Sequence, residues 1–438
     1  MSQEDLVLSD VLPPAYNFDE DLSSPMYSIN AGSSERIIQF EPFRRTGCPD
    51  CDWIYETDHM SINMGSRVWG LHAPSYGLNG RIEGAITLSG NRDHVERVTA
   101  TLEGHLSTVV AHRASGSGDG KSLILSRTIP LYASCMAGEV AWGEEQLFSI
   151  PIPSEVNVQG ALSKLPPSFS AYYQNLSCEI TYCLKFHMTR KGMRRHESKT
   201  IPILYLPKTR PSEPPLAAIP RPSRELTDAP TPMFERVKTV GLLPYWPMDA
   251  KRQLKGRTNL DDFSKSVYFS LPEPQCFSSG EQIPFTLSLV FPENPVLAQL
   301  LARNIRIVLL KRTRLWRRTE KKKEADIVVR DSTIASAQMR YINEYSEGVT
   351  LLRGTIRAGA EGRESSWCVE GVAETQYILR VILHPPNHVT GHLPSFRNDE
   401  VLQITTDSWG TLERELTATG GTPTPALGLA SNLVGKSD

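Results

Sequence analysis

The most constraining feature of this 438-residue chain is an alternation that keeps returning along it. In "GLNGRIEGAITLSG" (77–90), Ile82, Gly84, Ile86 and Leu88 share one parity, with Arg81, Glu83 and Thr87 between them. Successive side chains of a β-strand point to opposite faces, so this is the pattern of a strand with one face buried. The theme repeats at 94–110, 122–132, 147–153, 178–188 and 199–207, with Gly, Pro and Ser between the segments. It resumes at 280–292, where Ile283, Phe285, Leu287 and Leu289 share a parity, and again at 304–316, 348–358, 375–384 and 399–407. Strands of this length and spacing predict an all-β chain built from two tandem β-sandwiches. One helix is expected, in "PVLAQLLARN" (295–304), where Leu297, Leu300 and Leu301 fall at i, i+3 and i+4 behind a proline.

The length agrees with two cores rather than one. The expected boundaries are 60–206 for the first sandwich and 261–410 for the second. Between them, 207–260 reads as a linker: ten prolines fall between 207 and 247, and proline removes backbone donors that a sheet needs. Residues 1–36 carry no basic residue before Arg36 and are rich in Asp, Glu, Ser and Pro, the composition of a disordered acidic arm. The tail, 411–438, is polar, broken by Gly and Pro, and expected to be disordered. Gly80 and Gly280 each lead into an alternating strand, which suggests a duplicated sandwich.

Composition narrows the functional classes. A net charge of −2 gives no bulk field toward nucleic acid or membrane, so nucleic acid is not an expected partner. No run of 18 apolar residues predicts a membrane span, and MSQEDLVLSD lacks the basic and apolar regions of a secretory signal. Seven scattered cysteines then read as free thiols in a reducing, cytoplasmic setting. "SGSGDGKS" (115–122) lacks the first glycine of a phosphate loop and runs into Leu123-Ile124-Leu125, so it reads as a hairpin loop. Cys48-Pro-Asp-Cys51 has no second ligand pair at zinc-site spacing, and Cys178 and Cys183, five apart in a strand, face opposite sides. With no nucleophile elbow and no metalloprotease helix, the chain is expected to be a non-enzyme without a cofactor.

Two stretches point instead to binding. "KRTRLWRRTEKKK" (311–323) gathers Lys311, Arg312, Arg314, Arg317, Arg318, Lys321, Lys322 and Lys323 around Trp316. It reads either as the wet face and loop of a strand or as an anionic docking patch for lipid headgroups, acidic tails or phosphorylated partners. A nuclear-import patch is a further reading. "VLPPAYNF" (11–18) lies in the acidic arm; Pro13-Pro14 presets polyproline II, and Pro-Pro-x-Tyr, here Pro13, Pro14 and Tyr16, is the ligand pattern of WW domains.

The β segments resemble a known family. "LFSIPIP" (147–153), "LPPSFSAYYQNLSCEITYCLKFHMTRKG" (165–192) and "TIPILYLPKTRP" (200–211) resemble the latter part of an arrestin N-domain, and "YGLNGRIEGAITL" (76–88) its Gly-x-Ile-x-Gly strand. "SSGEQIPFTLSLVFP" (278–292), "YILRVILHPP" (377–386) and "EVLQITT" (400–406) resemble the start and end of an arrestin C-domain. The similarity is to α-arrestins, the trafficking adaptors. It implies two arrestin-like sandwiches without catalysis, engagement of membrane transporter or receptor tails, and recruitment of a HECT-type ubiquitin ligase through Pro13, Pro14 and Tyr16 for cargo ubiquitination, endocytosis and sorting. α-Arrestins usually place such motifs in the C-terminal tail, whereas this tail has none. A retromer-like sorting-coat subunit or a signalling scaffold is the alternative.

Overall fold

A computed structural model describes residues 52–89, 94–112, 116–133, 145–158, 160–173, 176–192, 196–220, 235–246, 260–317, 326–346, 348–389, 392–419, 421 and 423–433. The chain is all-β, in mainly antiparallel sheets, and among the described residues the helices are short.

The first half contributes β1 (Asp52–Glu56), β2 (Met60–Ser66), β3 (Ser75–Tyr76), β4 (Arg81–Leu88), β5 (Val95–His112), β6 (Gly116–Ala133), β7 (Glu145–Pro151), β8 (Glu155–Val158), β9 (Ala161–Lys164), β10 (Phe169–Tyr173), β11 (Leu176–Arg190) and β12 (Glu197–Tyr205). One sheet runs β1-β2-β4-β7; the other runs β3-β12-β11-β5-β6, with β10 added on β11. The alternation decides which side chains meet between them. Ile82 and Ile86 from β4, Ile62 from β2 and Phe148 from β7 face Val98, Leu102, Leu184, Phe186 and Ile201 in one core. The rings of Phe148 and Phe186 meet edge-on across the layers at 5.3 Å.

The second half contributes β13 (Val237–Gly241), β14 (Leu243–Tyr245), β15 (Val267–Pro272), β16 (Cys276–Ser278), β17 (Gln282–Val290), helix α1 (Pro295–Ala302), β18 (Ile305–Arg317), β19 (Asp326–Ser336), β20 (Gln338–Ser346), β21 (Val349–Arg357), β22 (Trp367–Val369), β23 (Ala373–Leu383) and β24 (Ser395–Thr405). Its sheets run β13-β15-β17-β21-β20 and β14-β24-β23-β18-β19, with β16 and β22 added at the side. Phe269, Phe285, Leu287, Leu309, Tyr377, Leu379 and Phe396 fill the second core. The helix α1 starts on its proline and buries Ala298 and Leu301.

In each half a glycine sits opposite a phenylalanine across a strand pair: Gly84 against Phe148 and Gly354 against Phe285. A Cβ on Gly84 would come within 2.6 Å of the Phe148 ring, and one on Gly354 within 2.7 Å of the Gln338 carbonyl oxygen and closer still to the Phe285 ring. Both rings lie over the glycine backbone, where any side chain would displace them.

At four places the structure differs from these expectations. The interval 207–260 is not only a linker: β13 pairs with β15 and β14 with β24, so it donates an edge strand to each sheet of the second sandwich. Proline is tolerated there because edge strands need only one row of donors. "SGSGDGKS" is not a loop, since β6 begins at Gly116 and pairs with β5 from His112↔Gly116 onward. Within the tail, the described residues 411–419, 421 and 423–433 include α2 (Leu412–Ala418) and α3 (Leu427–Ala430). The first sandwich also begins at β1, ahead of residue 60. Among the described residues, no helix is long and apolar enough to cross a membrane.

Candidate functional site

The Leu165–Phe169 turn links the two sandwiches. Proline carbonyls keep their acceptor capacity although the ring removes the N–H. The Tyr182 hydroxyl donates to the Pro166 carbonyl at 2.6 Å. The Ser168 N–H donates to the Tyr205 carbonyl at 2.8 Å, and the Tyr205 N–H donates back to the Ser168 hydroxyl at 2.9 Å. The rings of Tyr182 and Tyr205 meet edge-on at 5.7 Å, and burial pushes both phenols well above their usual range. The turn thereby aims Phe169 at the second sandwich, where its ring meets Trp367 edge-on at 5.1 Å. Leu315, Val369, Val372 and Ala373 of the second half join the first core, so the junction is apolar and continuous.

Over its described part the basic strip is a run of ion pairs. Lys311 points into the junction: its ammonium lies 2.9 Å from a Glu364 carboxylate oxygen and 5.8 Å from the centre of the Phe169 ring. The same Glu364 oxygen accepts from the buried Tyr377 hydroxyl at 2.6 Å. Arg312 grips Asp331 with two hydrogen bonds of 2.7 and 2.8 Å, and Arg314 pairs with Glu374 at 2.7 Å. Arg380, Asp399 and Arg397 extend the Arg312–Asp331 pair into a charge ladder over β19, β18, β23 and β24. The Asp331 carboxylate is held below its usual range chiefly by the Arg312 hydrogen bonds. Lys311, Arg312 and Arg314 are therefore each partnered by a carboxylate within the fold. The Arg317 side chain, with Arg318, Lys321, Lys322 and Lys323, lies outside the described residues. So do Pro13, Pro14 and Tyr16 of the Pro-Pro-x-Tyr motif, and Cys48 and Cys51.

The tail forms a strap that sequence reasoning missed. Glu415 of α2 accepts hydrogen bonds from Lys208 at 3.1 Å, from Arg210, and from both the hydroxyl and the N–H of Thr424. Burial alone would raise this carboxyl, but the Thr424 and Lys208 donors outweigh it and bring it down to about 2. Ala426, Leu429 and Ala430 then pack on Ala73, Leu204 and Leu206 of the first sandwich. Asn432 ties both halves: its carbonyl accepts from the Ser170 hydroxyl at 3.0 Å and its side chain donates to the Arg363 carbonyl at 2.7 Å.

Beside the strap lies an open groove of about 240 Å³, lined by Trp53, Arg67, Trp69, Tyr76, Pro423 and Pro425, among others. The Arg67 guanidinium stacks 4.4 Å from the centre of the Trp53 ring while its Nε donates to the Asp52 carbonyl at 3.1 Å. Val68 and Trp69 remain exposed next to it. An aromatic wall with a fixed cation and two prolines already seated is suited to an extended, proline-bearing or aromatic peptide segment. Its one local signal is an apolar pair, Val68-Trp69, between turn residues; the walls come from Trp53, the 64–81 segment and the distant Pro423 and Pro425 of the tail. Cys178 and Cys183 do face opposite sides of β11, Cys178 buried and Cys183 half-buried. No protein-family model matches this chain, and no curated protein matches it.

Proposed function

We propose that this chain is a non-enzymatic, arrestin-like adaptor of the α-arrestin type. It links membrane cargo to a HECT-type ubiquitin ligase and so promotes cargo ubiquitination, endocytosis and sorting. The observation that carries the reading is the Pro13-Pro14-x-Tyr16 motif in an acidic arm, whose prolines and tyrosine match what WW domains bind. Support for the cargo half comes from the groove at Trp53, Arg67, Trp69 and Tyr76, whose chemistry suits an extended cytosolic segment of a transporter or receptor. The protein works from the cytoplasm, recruited peripherally to plasma membrane or endosomes, with anionic lipid as an auxiliary contact of the Arg318–Lys323 segment.

The test is ubiquitin conjugation to membrane proteins co-isolated with the full chain in cells, wild type against Tyr16→Ala. The adaptor reading expects conjugation to fall sharply in the variant while co-isolation persists. Unchanged conjugation would remove ligase recruitment from the account. A sorting-coat or scaffold role would then stand, favoured by a tail that carries no Pro-Pro-x-Tyr motif and is strapped to both sandwiches.

A further inference from the structure

One cluster of side chains of metal-ligating types, Glu103, His105 and Cys183, includes none of the residues that line the groove or the junction. Glu103 and His105 sit two residues apart on β5, and Cys183 sits directly opposite Glu103 on β11. Positions i and i+2 of one strand and the facing position of its neighbour form a triangle on a single sheet face. The carboxylate, imidazole and thiol donor atoms lie within 4.8 Å of one another and are half-buried. A register shift against β6 falls between Gly104 and His105, and such bulges re-aim a side chain. Both strands run through the middle of their sheet, so the triangle stands on rigid backbone.

The present partner of the carboxylate is itself a cation. The Lys185 ammonium lies 2.6 Å from Glu103, on the same oxygen that the His105 Nε2 approaches at 2.8 Å. A carboxylate, an imidazole nitrogen and a thiol converging on one point make a mixed N, O and S donor set. That set matches a borderline divalent ion of the zinc class rather than calcium or magnesium.

We propose that Glu103, His105 and Cys183 bind one divalent cation of the zinc class, with a fourth position open to water. On binding, the Cys183 thiol releases its proton to solvent, and Glu103 exchanges the Lys185 ammonium for the metal, which leaves Lys185 in water.

Cobalt(II) titration of the reduced full chain tests this, in a Cys48→Ser/Cys51→Ser background that removes the Cys-x-x-Cys sequence motif. The expected result is one equivalent of cobalt with thiolate-to-metal charge transfer in the near ultraviolet and strong visible d–d absorption, displaced stoichiometrically by zinc. Cys183→Ser abolishes the charge-transfer band, and His105→Ala weakens binding by about tenfold or more. Lys185→Gln, at a largely solvent-facing side chain, strengthens binding because the competing ammonium is gone. The absence of a thiolate band in the background chain, or a band that survives Cys183→Ser, would overturn the site. Unchanged affinity in Lys185→Gln would overturn the exchange at Glu103.

Discussion

At the scale of single residues, the fold depends on positions where the space for one atom is already taken. Gly354 is the clearest, with the Phe285 ring lying over it. We expect Gly354→Ala to destabilise the chain by about 2–3 kcal/mol in urea unfolding, the cost of overpacking. Phe285→Leu in the same chain should recover part of that loss, because the two changes share one contact. Charges show the same dependence on surroundings. Lys311→Met strands the Glu364 carboxylate beside Tyr377 in the junction and should cost about 3 kcal/mol. Arg397→Ala, at the wet end of the charge ladder, should stay within about 0.5 kcal/mol. Equal losses in the two variants would contradict the view that Lys311 serves the junction rather than the surface.

At the scale of elements, the long alternating strands were legible and the short or charged ones were not. The patterns at β4, β5, β11, β17, β18 and β23 were readable because each buries one whole face over many residues. β13 and β14 were hidden by neighbouring prolines, and β16 and β22 are too short to show a period. The strap was invisible for another reason. Its anchors, Lys208 and Arg210, lie more than 200 residues before Glu415, and nothing local in "TATGGTPTPALGLASN" marks a docking segment. The sequence left the basic strip open between the face of a strand and a docking patch, because Asp331, Glu364 and Glu374, which pair with Arg312, Lys311 and Arg314, lie on other strands or loops.

The strap also sets a pH dependence. The Glu415 carboxyl stands at about 2 and that of Asp399 also at about 2, the latter because Arg380 and Arg397 outweigh its burial. Both lie below the unfolded values of about 4. The stabilisation they give is complete above that value and is lost as pH falls toward about 2. Thermal stability of the wild type should therefore decline over this window, and Glu415→Gln should flatten part of the decline. Leu429→Asp should detach α3, seen as faster proteolysis within 419–433 while the two cores keep their circular dichroism.

At the scale of the whole molecule, two sandwiches share an apolar junction in which residues of the second half complete the first core. We expect one cooperative transition in calorimetry for residues 52–438, and two in Trp367→Ala, which removes the ring against Phe169. A single transition in the variant would mean that the remaining junction residues, Leu315, Val369, Val372 and Ala373, together with the strap, still couple the halves.

The central claim is that the arm engages WW domains. The most direct measurement is calorimetric titration of tandem WW domains from a HECT ligase into the full chain, wild type against Tyr16→Ala. The account predicts one site with a Kd between about 1 and 100 μM for the wild type and no binding heat for the variant. Absence of binding to the wild type, or an unchanged Kd in Tyr16→Ala, would contradict it.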